Sequence, residues 1–107
     1  MGETQPTIST HVLDTGSGRP AEGVEVALLR VAEGEERIVG GGITDADGRI
    51  RQLLADPLEE GYYRLEFRVD GPFFMSLAVW FRVEDPGRSY HVPLQMAPFG
   101  LGTYLGS

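Results

Sequence analysis

YYRLEFRVDGPFFMSLAVWFRVE, residues 62–84, holds two β-rich runs of alternating character, YYRLEFRVD (62–70) and SLAVWFRVE (76–84), on either side of a segment that begins Asp-Gly-Pro. Alternation with a period of two is the mark of a strand with one face on a core, and Gly and Pro between such runs mark a turn. The same reading extends in both directions. Upstream lie TISTHVL (7–13), GVEVALLRV (23–31), RIVGGGIT (37–44) and RIRQLL (49–54); downstream lie SYHVPLQM (89–96) and a last short candidate, TYLGS (103–107). Turn formers separate them: DTGSGRPAEG, EGEE, DADG, DPLEEG and EDPG. Only LLADPLEE (53–60) hints at a helical period. Short strands at this regular spacing predict an all-β protein, a two-sheet β-sandwich of about seven to eight strands.

The composition bounds the rest. A chain of 107 residues makes one domain, and 41% apolar content is ordinary for a folded one. Residues 1–6 are expected to form a loose arm and residues 7–107 the domain. The net charge of −7 argues against a nucleic-acid partner, which needs concentrated Lys and Arg. Cys is absent, so neither a disulfide framework nor a thiolate zinc site is available. No apolar run approaches the roughly 20 residues of a membrane span, and MGETQPTIST lacks the basic and apolar regions of a secretory signal. The final LGS is not a peroxisomal address, so the expected location is the cytoplasm, with no membrane partner.

The chain holds two histidines, and both fall on outward phases. Ile8, Thr10 and Val12 share one side of the first run, with Ser9, His11 and Leu13 on the other. In the last long run Tyr90, Val92 and Leu94 oppose Ser89, His91, Pro93 and Gln95. Ile50 is the natural core residue of the fourth run, which turns Arg49 and Arg51 outward. If these strands belong to one sheet, His11, Arg49 and His91 form a cluster on its outer face. Such a cluster becomes a site only when covered, and a second copy of the same sheet is the obvious cover, so a homo-oligomer is part of the expectation.

Three separated segments, STHVLDTGSGRPAEGVEV, TDADGRI and YHVPLQMAPFGLGTYLGS, resemble the 5-hydroxyisourate hydrolases, purine-catabolic relatives of transthyretin, over nearly the whole chain from about Ile8 to Ser107. The resemblance implies a transthyretin-like sandwich that hydrolyses 5-hydroxyisourate. It implies catalytic roles for His11 in the HVLD segment, Arg49 after the DG turn and His91 in YHVPL. It also implies a homotetramer with sites where sheets of different subunits meet. The family's terminal Tyr-Arg-Gly-Ser is matched by Tyr104, Gly106 and Ser107, with Leu105 in place of the arginine. A second departure lies in RVDGPFFMSLAVWF, where relatives carry a short helical connection and Asp70-Gly71 is expected to join the strands in a tight hairpin.

Hydrolysis of a strained cyclic amide needs a base for water, donors for the developing oxyanion and an acid for the departing nitrogen. Two imidazoles suit the proton transfers near neutrality, and a permanently charged guanidinium suits the oxyanion and an electron-rich ring. His11 and His91 are accordingly read as the proton-transfer pair and Arg49 as a catalytic and substrate-binding group. Tyr104 and Ser107 are read as further substrate contacts, the latter through its hydroxyl or terminal carboxylate. Neither metal nor other cofactor is required. Asp45 and Asp47 hint at calcium, but the ligand spacing of a calcium loop is not met. The Gly40–Gly42 run lacks the following Lys of a phosphate loop and reads better as a bulge. The other readings are a transthyretin-like carrier of a small ligand and a structural β-sandwich module. The isopeptide-locked form of the latter is excluded, since the chain has neither Lys nor Asn.

Overall fold

The computed structural model describes residues 5–107, so the arm expected over residues 1–6 lies mostly outside the described residues. From Thr7 onward the backbone is tied down: the Thr7 N–H donates to the Ser89 hydroxyl and its carbonyl accepts the Tyr90 N–H.

Ten strands follow in the order β1 (Ile8–Asp14), β2 (Arg19–Pro20), β3 (Glu25–Ala32), β4 (Glu35–Ile43), β5 (Arg49–Ile50), β6 (Gly61–Arg68), β7 (Ser76–Val83), β8 (Tyr90–His91), β9 (Leu94–Ala97) and β10 (Gly100–Thr103). They form two sheets, a four-stranded one in the order β4-β3-β6-β7 and a six-stranded one. In the second, β10-β9-β1-β2 form the main path, and β1 also pairs with β5 and β8. Alternation explains the core between the sheets. Ile8 and Val12 of β1, Val26 and Leu28 of β3, Leu65 and Phe67 of β6 and Leu94 of β9 are at most 5% exposed. Each contributes about 1.5–3 kcal/mol by leaving water. The sandwich expected from the sequence is the fold observed.

The differences have local causes. Residues 53–60, where a helical period was suspected, have no helix; Leu53 and Leu58 are buried from irregular backbone. The run at 49–54 is a strand only at Arg49–Ile50, because Gln52 turns its side-chain carbonyl onto the N–H groups of Ile8 and Leu54. SYHVPLQM splits into β8 and β9 at Pro93, which has no N–H to give a ladder and is buried instead of facing out. The last strand is β10, upstream of the expected TYLGS, and within that segment Gly106 makes an isolated bridge to His91.

The β6–β7 hairpin forms without a helix, but its turn is not centred on Asp70-Gly71. Val69 and Asp70 both donate N–H to the Met75 carbonyl, and Gly71 donates to Phe74, so Pro72 and Phe73 sit at the tip. The type I′ turn that Asp-Gly favours needs both residues at positive φ, and only Asp70 adopts it, at 48°. Pro72, with its φ preset, takes the first central position of the turn instead. By contrast Glu33-Gly34, at φ 53° and 76°, is such a two-residue turn between β3 and β4.

The glycine run also finds its reason here. Strand β4 is bulged opposite Leu28/Leu29, and the Gly40–Leu54 bridge brings the backbone of residues 53–55 against it. A Cβ on Gly40 would land on the Leu53 carbonyl oxygen.

Candidate functional site

Strand β1 organises the site because it has partners on both sides along its length. Antiparallel pairing with β5 sets His11 opposite Arg49, and parallel pairing with β8 sets Ser9 opposite His91. Thr10 between them points into the core and donates its hydroxyl to the Val92 carbonyl at 2.7 Å, tying β1 to the chain just before Pro93. Ser9, His11, Arg49 and His91 therefore share the outer face of the six-stranded sheet.

Arg49 is aimed by the turn before it. The Asp45 carboxylate accepts N–H bonds from Asp47 at 2.9 Å and Arg49 at 3.0 Å, and Gly48, at φ 73°, closes the turn onto the Asp45 carbonyl. The bond from the Arg49 N–H is the main cause that holds the Asp45 carboxyl below its ordinary value, with the Arg51 and Arg49 charges adding to it. This carboxylate is thus engaged by backbone, the job of a turn cap and not of a calcium ligand.

His91 is half-buried and held from two sides. Its Nδ1 lies 2.8 Å from the Ser9 hydroxyl, and its carbonyl accepts the Gly106 N–H at 2.7 Å. Gly106 is there because nothing larger fits: a Cβ would stand 2.7 Å from the His91 Cδ2. Burial, and then the fields of His11 and Arg49, push the His91 imidazole below its ordinary value. A neutral imidazole at neutrality is a proton acceptor, and the bond at Nδ1 fixes the ring for work at its other edge.

Around these groups lies an open depression of about 360 Å³ lined by Ser9, Thr10, Arg49, Ile50, Arg51, Ser89, His91 and Ser107. Of the residues expected from the sequence, Arg49, His91 and Ser107 line it, and His11 adjoins it across the β1–β5 pair. Tyr104 does not line it and is 55% exposed, and Leu105, where the family's tail has arginine, is 60% exposed in the single chain. This side chain is therefore not packed beneath the tail of its own chain. Ser9 and Arg51 belong to the site and were not singled out from the sequence. Their outward phase was readable, but only the β1–β8 pairing shows that Ser9 meets His91. Among the described residues there is no group of three or more His, Cys, Asp or Glu placed to hold a metal ion.

The arrangement offers a neutral imidazole, a second imidazole and guanidinium charge on one polar wall, a set suited to adding water to a carbonyl. Known proteins point the same way. The chain is 39% identical to a 5-hydroxyisourate hydrolase of Halalkalibacterium halodurans across 94% of its own length and 97% of the relative's. Its structure superposes on 5-hydroxyisourate hydrolase of Klebsiella pneumoniae with a TM-score of 0.83 at 36% identity, covering 96% of this chain and all of that one. Sea bream transthyretin, solved in complex with thyroxine, gives a TM-score of 0.85 at 28% identity, covering 92% of this chain and 93% of that one. The model of the HIUase/Transthyretin family matches residues 8–106, and the chain belongs to that family.

Proposed function

We propose that this protein is a hydrolase that opens the ring of 5-hydroxyisourate by cleaving a cyclic amide, giving 2-oxo-4-hydroxy-4-carboxy-5-ureidoimidazoline. The observation that carries the reading is the register of β1, which gathers two imidazoles and a guanidinium on one polar face in a chain with hydrolase relatives along its length. His91, whose proton affinity is lowered by burial and by the fields of His11 and Arg49, takes a proton from water as the water oxygen bonds to the amide carbon. Arg49 holds the carbonyl oxygen as it gains charge. The proton returns to the ring nitrogen as the C–N bond breaks, with His11 completing the transfer; the two imidazoles act as a coupled pair. Ser9 fixes the His91 ring through Nδ1, and Ser107 adds a polar contact at the rim. Tyr104 is assigned to the substrate only in an assembly, since it stands away from the depression of its own chain.

The same reading makes the protein a homotetramer in which the open face of the six-stranded sheet is covered by another copy. Residues 7–107 form its one domain, and the cysteine-free composition suits a cytoplasmic setting. A carrier function, favoured by the likeness to a thyroxine-bound transthyretin, is the second reading. It leaves the polar His11, Arg49 and His91 wall without a task.

The deciding experiment is the decay of freshly generated 5-hydroxyisourate. The protein is expected to accelerate it, and His11→Ala or His91→Ala to lower the rate about 10²- to 10⁴-fold with the fold intact. A parent protein that leaves the spontaneous rate unchanged would favour the carrier.

A further inference from the structure

Arg51 stands just past β5, on the wall that carries Arg49, Ser9 and His91. Five of the other seven arginines have local work, and of the four without it only Arg49 and Arg51 line the depression. Arg30, Arg64, Arg68 and Arg82 pair with carboxylates, and Arg88 lies over the Tyr90 ring at 5.0 Å. Among the described residues neither Arg49 nor Arg51 has a carboxylate within ion-pair distance. The acid nearest to both in its effects is Asp45, whose Oδ1 is already taken by two backbone N–H groups. Two guanidiniums, Arg49 and Arg51, thus line one depression beside His91 in a chain of net charge −7. Concentrating like charge in this way costs energy unless an anion arrives to relieve it.

Ring opening supplies that anion. When one water adds to the cyclic amide, its oxygen bonds to the carbonyl carbon, the C–N bond breaks, the nitrogen keeps one proton, and the new carboxylic acid loses another at neutral pH. Charge appears on an oxygen pair where the substrate had a single carbonyl oxygen. A guanidinium fork matches two carboxylate oxygens in a way that a point charge does not. Resting on the hydrolase reading above, we infer that Arg51 is a second substrate-binding guanidinium of this site, which draws in the electron-rich ring and holds the oxygens that end as the product carboxylate.

The test is steady-state hydrolysis at low and high salt by the parent, Arg51→Gln, Arg51→Lys and, as a control for net charge on the opposite sheet, Arg37→Gln. Arg51→Gln is expected to raise KM roughly tenfold and to change kcat much less, because the lost contact forms with bound substrate as well as in the reaction. Arg51→Lys should recover part of the loss, Arg37→Gln should match the parent, and the salt dependence of kcat/KM should be shallower in Arg51→Gln. Thermal unfolding of Arg51→Gln should follow the parent, since the residue is exposed. An active parent with an unchanged KM in Arg51→Gln overturns the role of Arg51 alone, as does a lysine variant no better than glutamine. A parent without activity overturns the hydrolase reading itself.

Discussion

His91 shows how much chemistry one residue's surroundings decide. Among the described residues its imidazole has no carboxylate partner; it has a hydroxyl at Nδ1, a glycine against its Cδ2 edge, and His11 and Arg49 close by. Burial lowers its affinity for a proton, and His11 and Arg49 lower it further. The protonated ring is disfavoured in the folded state, so its contribution to stability is fully present above the ordinary imidazole value of about 6.5 and is lost as pH falls through the lower folded value. Activity follows the same sign. The acid limb of kcat/KM is expected below about 6.5, and Arg49→Gln, which removes a repelling charge, should move the limb upward while lowering the maximum. A pH–rate profile of both proteins, with NMR titration of the ring, measures this. A limb that stays in place in Arg49→Gln would detach the guanidinium from the imidazole. Gly106 matters to the same residue for a steric reason, and the hydroxyl of Ser9 for an orientational one, so the site depends on small residues as much as on its titrating pair.

At the scale of elements, strand β4 carries the sharpest steric demand. The Gly40–Leu54 bridge lets the segment after β5 lie directly on β4, and the Gly41 N–H donates to the Leu53 carbonyl at 2.8 Å. Gly40→Ala would drive a methyl group into that carbonyl, and a loss of about 3 kcal/mol or more is expected, against little change for Gly102→Ala, where a Cβ meets open space. Urea unfolding of the two variants measures the difference. The GGG run was readable as a bulge because no phosphate-binding pattern accompanied it, but nothing local announced that another backbone would lie on it. Other elements divide in the same way. The hairpin from Gly61 to Val83 could be read from alternation, since both strands face one core. Its turn centre could not, because Asp70-Gly71 is a strong local signal that the longer loop through Pro72 overrides. The phases of His11, Arg49 and His91 followed from period two alone. That Ser9 meets His91 depends on parallel pairing of segments 82 positions apart, which no local pattern encodes.

The described residues form a flattened body of 38 × 38 × 19 Å that leaves several large apolar side chains in water. Phe73, Met75 and Phe99 are between 67% and 75% exposed near hairpin turns, Trp80 is 58% exposed on the edge strand β7, and Leu105 is 60% exposed beside the site. The depression is likewise open to water. With one wall it leaves the His91 ring and the guanidiniums in contact with bulk water, where their fields are screened and a developing oxyanion gains little from them. A facing copy would exclude that water, bring Tyr104 and Leu105 against a neighbour and give Leu105 the burial it lacks in the single chain. Assembly and catalysis are then one property. Sedimentation at micromolar concentration is expected to show a tetramer, and activity per chain should fall on dilution in step with its dissociation. A monomer that keeps full activity would mean that one sheet is a sufficient site, and that the exposed apolar groups serve some other contact.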